Sequence, residues 1–206
     1  MPTPLGHGLA GLAVWAVARK PGSVKEALTR ENIGWAALCV VAANIPDADF
    51  ITIGAGGIEI SELYHHGATH SAGFAVALGA VAGVWAWLRR KASGGTAGNF
   101  APNPVMAAGV TFVCVLSHAV MDLMGVDSNP INGIGLPILW PVSNEYFLVP
   151  IMPGVDRTNP FSLSVALGVA RETLIFGFIF LMALFHGRRR TALAPAPARN
   201  ETGPVI

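Results

Sequence analysis

Charge is what this sequence has least of. Only 12% of its 206 residues are Asp, Glu, Lys or Arg, while 52% are hydrophobic. Soluble domains carry about 25% charged residues, so a chain with this balance and a mean hydropathy of +0.54 reads as a membrane protein. Cysteine is nearly absent too. Cys39 and Cys114 each lie inside an apolar run with no CxxC spacing, which leaves them as small buried hydrophobes rather than a disulfide framework or a thiolate metal site. No basic stretch precedes the first apolar segment; the pair Arg19-Lys20 follows it, the reverse of a secretory signal, so that segment is kept as a mature helix. There is no GxSxG elbow, although Ser71 and Ser117 adjoin histidines, and a serine nucleophile of that type is excluded. The formal net charge of +1 gives no reason to expect nucleic acid as a partner.

Five apolar segments are present, at residues 5–18, 32–45, 66–88, 105–124 and 162–185. They predict an all-α, polytopic membrane helix bundle of about five transmembrane helices, forming one domain over residues 1–187. Residues 188–206, basic and then Pro/Ala-rich, are expected as a disordered cytoplasmic tail. Runs of thirteen or fourteen apolar residues also suit buried helices of a soluble bundle. The two dozen mostly apolar residues of the fifth segment weigh against that. Between the segments, Pro21-Gly22 stops the first helix, Pro46 stops the second, and residues 50–63 form a glycine-rich loop with Glu59 and Glu62. The Gly/Pro/Asn-rich stretch 125–160 is too long for a passive connector and reads as a lid or substrate-binding loop.

Up-and-down threading segregates the charges. Eleven of the thirteen Lys and Arg, all but Arg157 and Arg171, fall on one face. The positive-inside rule makes that face cytoplasmic, with the N-terminus outside and the C-terminus inside. On the opposite face lie His7, Asp47, Asp49, His65, His66, His70, His118, Asp122 and Glu172. At about 1.5 Å per helical residue, spans of roughly 18–28 Å separate these groups from the basic ends, which places the cluster at lipid headgroup level.

The centre of that cluster is YHHGATHS, residues 64–71, where three of the six histidines fall within six residues. One reading is a polar loop in which Thr69 or Ser71 caps the next helix. Caps do not call for three imidazoles, which favours a metal site. His118 and Asp122 are four apart and share one face of their helix; His66 and His70 would do the same if their helix begins early enough. Imidazoles with carboxylates form the ligand set of a hydrolytic zinc or manganese site, and ionisable residues in apolar helices are costly and usually functional. The DxD of Asp47 and Asp49 can ligate a metal or stand as a solvated turn. His7 joins as an additional ligand by its place on the crowded face. Glu172, about 15 Å into its helix if that helix starts at Ser162, either pairs with Arg171 or sits on a helix that protrudes above the lipid.

These motifs resemble the YdjM family of bacterial inner-membrane proteins, described as metal-dependent hydrolases. That pattern has a DxD after the second helix, an HRGxTHS segment, and SHxxxD followed by a GxxLLWPFS-like stretch. Here they read Asp47-Ala-Asp49, His65-His66-Gly-Ala-Thr69-His70-Ser71, Ser117-His118 to Asp122, and GLPILWPVS at 135–143. His66 stands where the pattern has an arginine. The family is in turn similar to the zinc-dependent phospholipase C and zinc nuclease group. That likeness implies His70, His118 and Asp122 as core metal ligands, Asp47 and His65 as further ones, and Asp49 or Glu172 as general base.

The expected function is a membrane-bound hydrolase in the bacterial inner membrane. It would use zinc, or manganese, to cleave a phosphoester or ester of a lipid or amphiphile at the outer face. Two alternatives stand beside it: a small transporter or ion relay, against which the lack of paired broken repeats weighs, and a non-catalytic protein with a structural metal, for which four protein ligands would speak. Substrate, metal count and oligomeric state are not legible in the sequence.

Overall fold

The computed structural model describes residues 2–51, 66–92, 103–125, 135–152 and 161–192. These are helical throughout apart from turns and two isolated β-bridges, Gly125 with Met152 and Leu136 with Phe147. The helices are α1 (Pro4–Arg19), α2 (Val24–Ala27), α3 (Arg30–Asn44), α4 (Ala72–Ala92), α5 (Pro104–Leu123) and α6 (Leu163–Ala192). Two 3-10 turns, Ile45–Ile51 and Ala68–His70, follow α3 and precede α4.

Caps set most of the boundaries. Thr3 and Asn103 accept backbone N–H bonds at the starts of α1 and α5, with a proline in the first turn of each, where a missing N–H costs nothing. Thr29 caps α3, so that helix begins two residues before the apolar run. At the start of α4, the Ser71 hydroxyl accepts from Phe74 N–H at 3.1 Å and donates to the Ala68 carbonyl at 2.6 Å. Ser71 is extended, with φ −126° and ψ 160°. His70 is therefore held in a turn outside α4, and His66 and His70 do not share a helical face. The helix α6 continues through Arg188–Arg190 to Ala192, so the basic run that the sequence assigns to a disordered tail is helical.

Three helices, α1, α3 and α5, pack against one another; α4 lies on α5 and α6 lies on α1. Their shared core is made of small and aromatic side chains, with Ala16, Cys39, Ala43 and Cys114 fully buried among Trp15, Trp35 and Val115. The α1–α3 contact is backbone-close: a Cβ on Gly11 would stand 2.5 Å from the Cys39 carbonyl oxygen. Small residues permit that approach in membrane bundles. By length and composition, Ala72–Ala92, Pro104–Leu123 and Leu163–Arg189 can each cross a membrane. The helices α1 and α3, with 16 and 15 residues, are shorter.

The long connector between α5 and α6 is described only over 135–152. There it is fastened at both sides, by Ala72 and Gly73 N–H donating to the Ile138 and Trp140 carbonyls and by Val149, Ile151 and Met152 N–H donating to the Leu123 and Met124 carbonyls.

Gly11→Leu drives a side chain into the α3 backbone and should destabilise the detergent-solubilised protein by about 1–3 kcal/mol or more. A Cβ at Gly109, by contrast, meets nothing within 4 Å, so Gly109→Ala should leave stability unchanged or raise it by about 0.5–1 kcal/mol. Thermal unfolding followed by circular dichroism checks both.

Candidate metal centre

Four helix ends meet at one pole of the bundle. The start of α1 contributes His7, the turn after α3 Asp47 and Asp49, the turn before α4 His66 and His70, and the last turns of α5 His118 and Asp122. Pro46 matters here. Ending α3 at Asn44 and tightening the chain into a 3-10 turn carries Asp47 over the end of α5 instead of along α3.

The side chains converge to single-ion dimensions. His118 Nε2 lies 3.0 Å from Asp122 Oδ2 and 3.3 Å from Asp47 Oδ1; His70 Nε2 lies 3.5 Å from each of those carboxylates and 3.2 Å from His118 Nε2. One atom from each of the four residues falls within 4.8 Å of the other three. A tetrahedral ion with bonds of about 2.0–2.2 Å has ligand–ligand edges of about 3.3–3.6 Å. The five separations of 3.0–3.5 Å lie near those edges.

Outer contacts turn both imidazoles the right way. His118 Nδ1 donates to the Ala43 carbonyl at 2.7 Å. His70 Nδ1 stands 3.0 Å from Thr69 Oγ1, and the Thr69 hydroxyl donates to Asp49 Oδ2 at 3.2 Å. With Nδ1 carrying the proton on each ring, both Nε2 lone pairs point inward, the tautomer a metal ligand needs.

With neutral rings and no cation, this arrangement is unfavourable. Two carboxylates face two inward lone pairs at a place where His70 and His118 are wholly buried and Asp122 is 2% exposed. Asp47 Oδ1 and both carboxylate oxygens of Asp122 accept no hydrogen bond among the described residues. Buried charge of that kind is paired or binds metal. Burial alone would raise the Asp47 carboxyl, but the His118 and His70 rings, when their Nε2 atoms carry protons, outweigh that and hold the group well below the usual carboxylate range; a metal cation in the place of those protons would favour the carboxylate in the same way.

The remaining candidates divide. His7 is fully buried; its ring stacks on His118 with centroids 3.7 Å apart, and its Nε2 lies 3.4 Å from Asp122 Oδ1, the oxygen turned away from His70 and His118. His66, at φ 67°, sets its ring edge-on to His70 at 5.1 Å and stays outside the group of four. His65 lies outside the described residues. Asp49 faces the Nδ1 side of His70, at 3.8 Å directly and through the Thr69 hydroxyl, so it is placed to orient that ring. Glu172 is a correction: its Oε2 accepts from both the backbone N–H and the hydroxyl of Thr3, each at 2.7 Å. A carboxylate at the N-terminus of α1 is favoured there by the helix dipole, and that duty takes it away from the cluster. Because α6 has 30 residues, about 45 Å, its first turns extend past the start of α1, which explains how an acid two to three turns into α6 meets an N-cap. Thr69 and the Ala43 carbonyl are the participants the residue pattern does not reveal as outer contacts; a backbone oxygen leaves no signature, and Thr69 reads equally well as a cap.

The model of the family described as YdjM inner membrane protein matches residues 1–194. This chain belongs to that family. No curated protein and no solved structure matches it. Family membership and the three apolar helices together establish a membrane protein, and the YdjM-family chain carries a group, Asp47, His70, His118 and Asp122, able to hold a metal ion.

His70→Ala, His118→Ala and Asp122→Ala should each abolish metal retention, while Asp49→Asn, which loosens only an outer contact, should weaken affinity about 10–100-fold. Elemental analysis and competition with a chromogenic chelator check this. Full metal content in the ligand variants would refute the assignment.

Proposed function

We propose that this protein is a metal-dependent hydrolase of the inner membrane that cleaves a phosphoester or ester of a lipid or other amphiphile at the outer face. The observation that carries the reading is the ligand set, two imidazoles and two carboxylates with no thiolate, gathered at the ends of apolar helices. Structural zinc sites are built mostly from cysteine; imidazole and carboxylate suit zinc, and manganese where carboxylate dominates. Bound there, the ion would lower the pKa of a water and polarise the scissile group. The protein's own part is to aim both Nε2 atoms, to keep Asp122 dry, and to leave Asp47 as the ligand facing outward: its side chain is 16% exposed, against 0% for the other three. Substrate approach is therefore expected from the Asp47 side.

The orientation follows from alternation. If α1, α3, α4, α5 and α6 cross in turn, the five-pass arrangement puts the metal pole opposite Arg19, Arg89, Lys91 and Arg189. At that other pole, Arg89 lies over Trp85, Lys91 over Trp87 and Arg189 over Phe185, with cation-to-ring distances of 5.4, 5.4 and 4.5 Å. Aromatic and basic side chains of this kind anchor helices at an interface. The excess of positive charge supports a cytoplasmic placement for that pole, with the N-terminus outside.

A second reading has an observation in its favour. Four protein ligands saturate a tetrahedral ion, as in a structural site. Chelation separates the two: a structural ion takes the fold with it, whereas a catalytic ion takes only turnover. Metal-loaded protein is expected to hydrolyse at least one member of a panel of phosphomonoester, phosphodiester and carboxylic-ester amphiphiles. Chelation or His118→Ala should bring the rate to background while the helix content stays. A membrane-impermeant substrate should be turned over by intact spheroplasts. Unfolding on chelation, with no turnover of any substrate, would establish the structural ion instead.

A further inference from the structure

The segment 135–152 lies over the metal pole, and it is built unlike a soluble loop. Of its eighteen residues only Glu145 is charged. Its fixed side is well satisfied: Leu136 is 1% exposed, and Leu136 and Phe147 exchange both backbone bonds at 2.9 Å. The Trp140 carbonyl is drawn so close to α4 that a Cβ on Gly73 would meet it at 2.4 Å. Through these bonds and those to the Leu123 and Met124 carbonyls, the segment bridges the first turn of α4 and the last turn of α5, the two span ends that flank His70 and Asp122.

Its other side is apolar and uncovered by the other described residues. Val142 is 92% exposed and Ile151 65%, with Leu139, Trp140, Tyr146 and Val149 between 38% and 49%. This surface continues onto the flanks of the spans, where Val76 and Val120 are exposed on α4 and α5. Trp and Tyr at such a level favour the membrane–water boundary. The backbone bonds to both helix ends remove part of the penalty that irregular chain meets near hydrocarbon.

We propose that residues 135–152 form a lipid-docking platform, whose outward side chains, led by Val142 and Ile151, enter the headgroup–acyl boundary of the bilayer leaflet at the metal pole. The occupant is lipid, and the inference rests on the membrane reading alone, not on catalysis. Its consequence for the site is positional. The platform sets the leaflet surface level with the ends of α4 and α5, so that a lipid headgroup is presented to the metal pole without leaving the bilayer.

Val142→Cys and Ile151→Cys, labelled with an environment-sensitive fluorophore in nanodiscs, test this directly. Cys39 and Cys114 are buried, and unlabelled wild-type protein provides the blank. Lys25→Cys, on the exposed helix α2, gives the aqueous reference. Both platform labels should emit to the blue of the Lys25 label, lose most of their quenching by iodide, and be quenched when brominated phosphatidylcholine is included. Emission and iodide quenching equal to the reference would overturn the proposal by placing the segment in water. Shielding from both quenchers would overturn it as well, by showing that protein, such as a second copy, covers the face. Two separately placed labels keep the outcome readable if either substitution disturbs the fold.

Discussion

Like charge gathered where water is scarce is the constraint on which this structure turns. Asp47 and Asp122 both reach the Nε2 atoms of His70 and His118 at 3.0–3.5 Å, and the remaining Asp122 oxygen faces His7 Nε2 at 3.4 Å. Helix packing is what forces the meeting. The backbone contact at Gly11 sets α1 beside α3, the bond from His118 Nδ1 to the Ala43 carbonyl ties α5 to the end of α3, and the Ser71 cap places His70 just before α4 begins. A divalent ion held there would resolve the electrostatic conflict that these contacts create.

The outer contacts divide into two kinds with different consequences. Ala43 is backbone and cannot be changed by substitution, so the tautomer of His118 is secured by the fold itself. Thr69 and Asp49 are side chains, and they secure His70 through a chain of two hydrogen bonds. His70 is thus the more tunable ligand. Glu172 belongs to neither set. By docking on Thr3 it fixes the N-terminus of α1, and through it the position of His7 one turn further on.

Much of this was legible in the residues because membranes make polar groups conspicuous. The helical class and the apolar segments follow from the scarcity of charge, and alternation of helix direction gathers nine polar residues on one face; the narrower set Asp47, His70, His118 and Asp122 came from the motifs that resemble the YdjM pattern. Less legible were features that depend on where a helix starts. Ser71 could equally have been an interior residue, and had it been so, His66 and His70 would have shared a face. For Glu172 the sequence left two readings open, a pair with Arg171 or a helix protruding above the lipid; the 30-residue α6 overshoots its neighbours, and its carboxylate meets Thr3 rather than the cluster, where the general-base reading had put it. The basic run at 188–190 was assigned to a tail from its composition, yet α6 extends through it to Ala192. His65, also a candidate ligand by its motif, lies outside the described residues.

X-ray absorption spectroscopy of the metal-loaded protein in lipid tests the central claim most directly. The account predicts a shell of nitrogen and oxygen only, at about 2.0–2.2 Å for zinc, with outer-shell scattering from two imidazoles. A shell containing sulfur, or one without imidazole scattering, would contradict it.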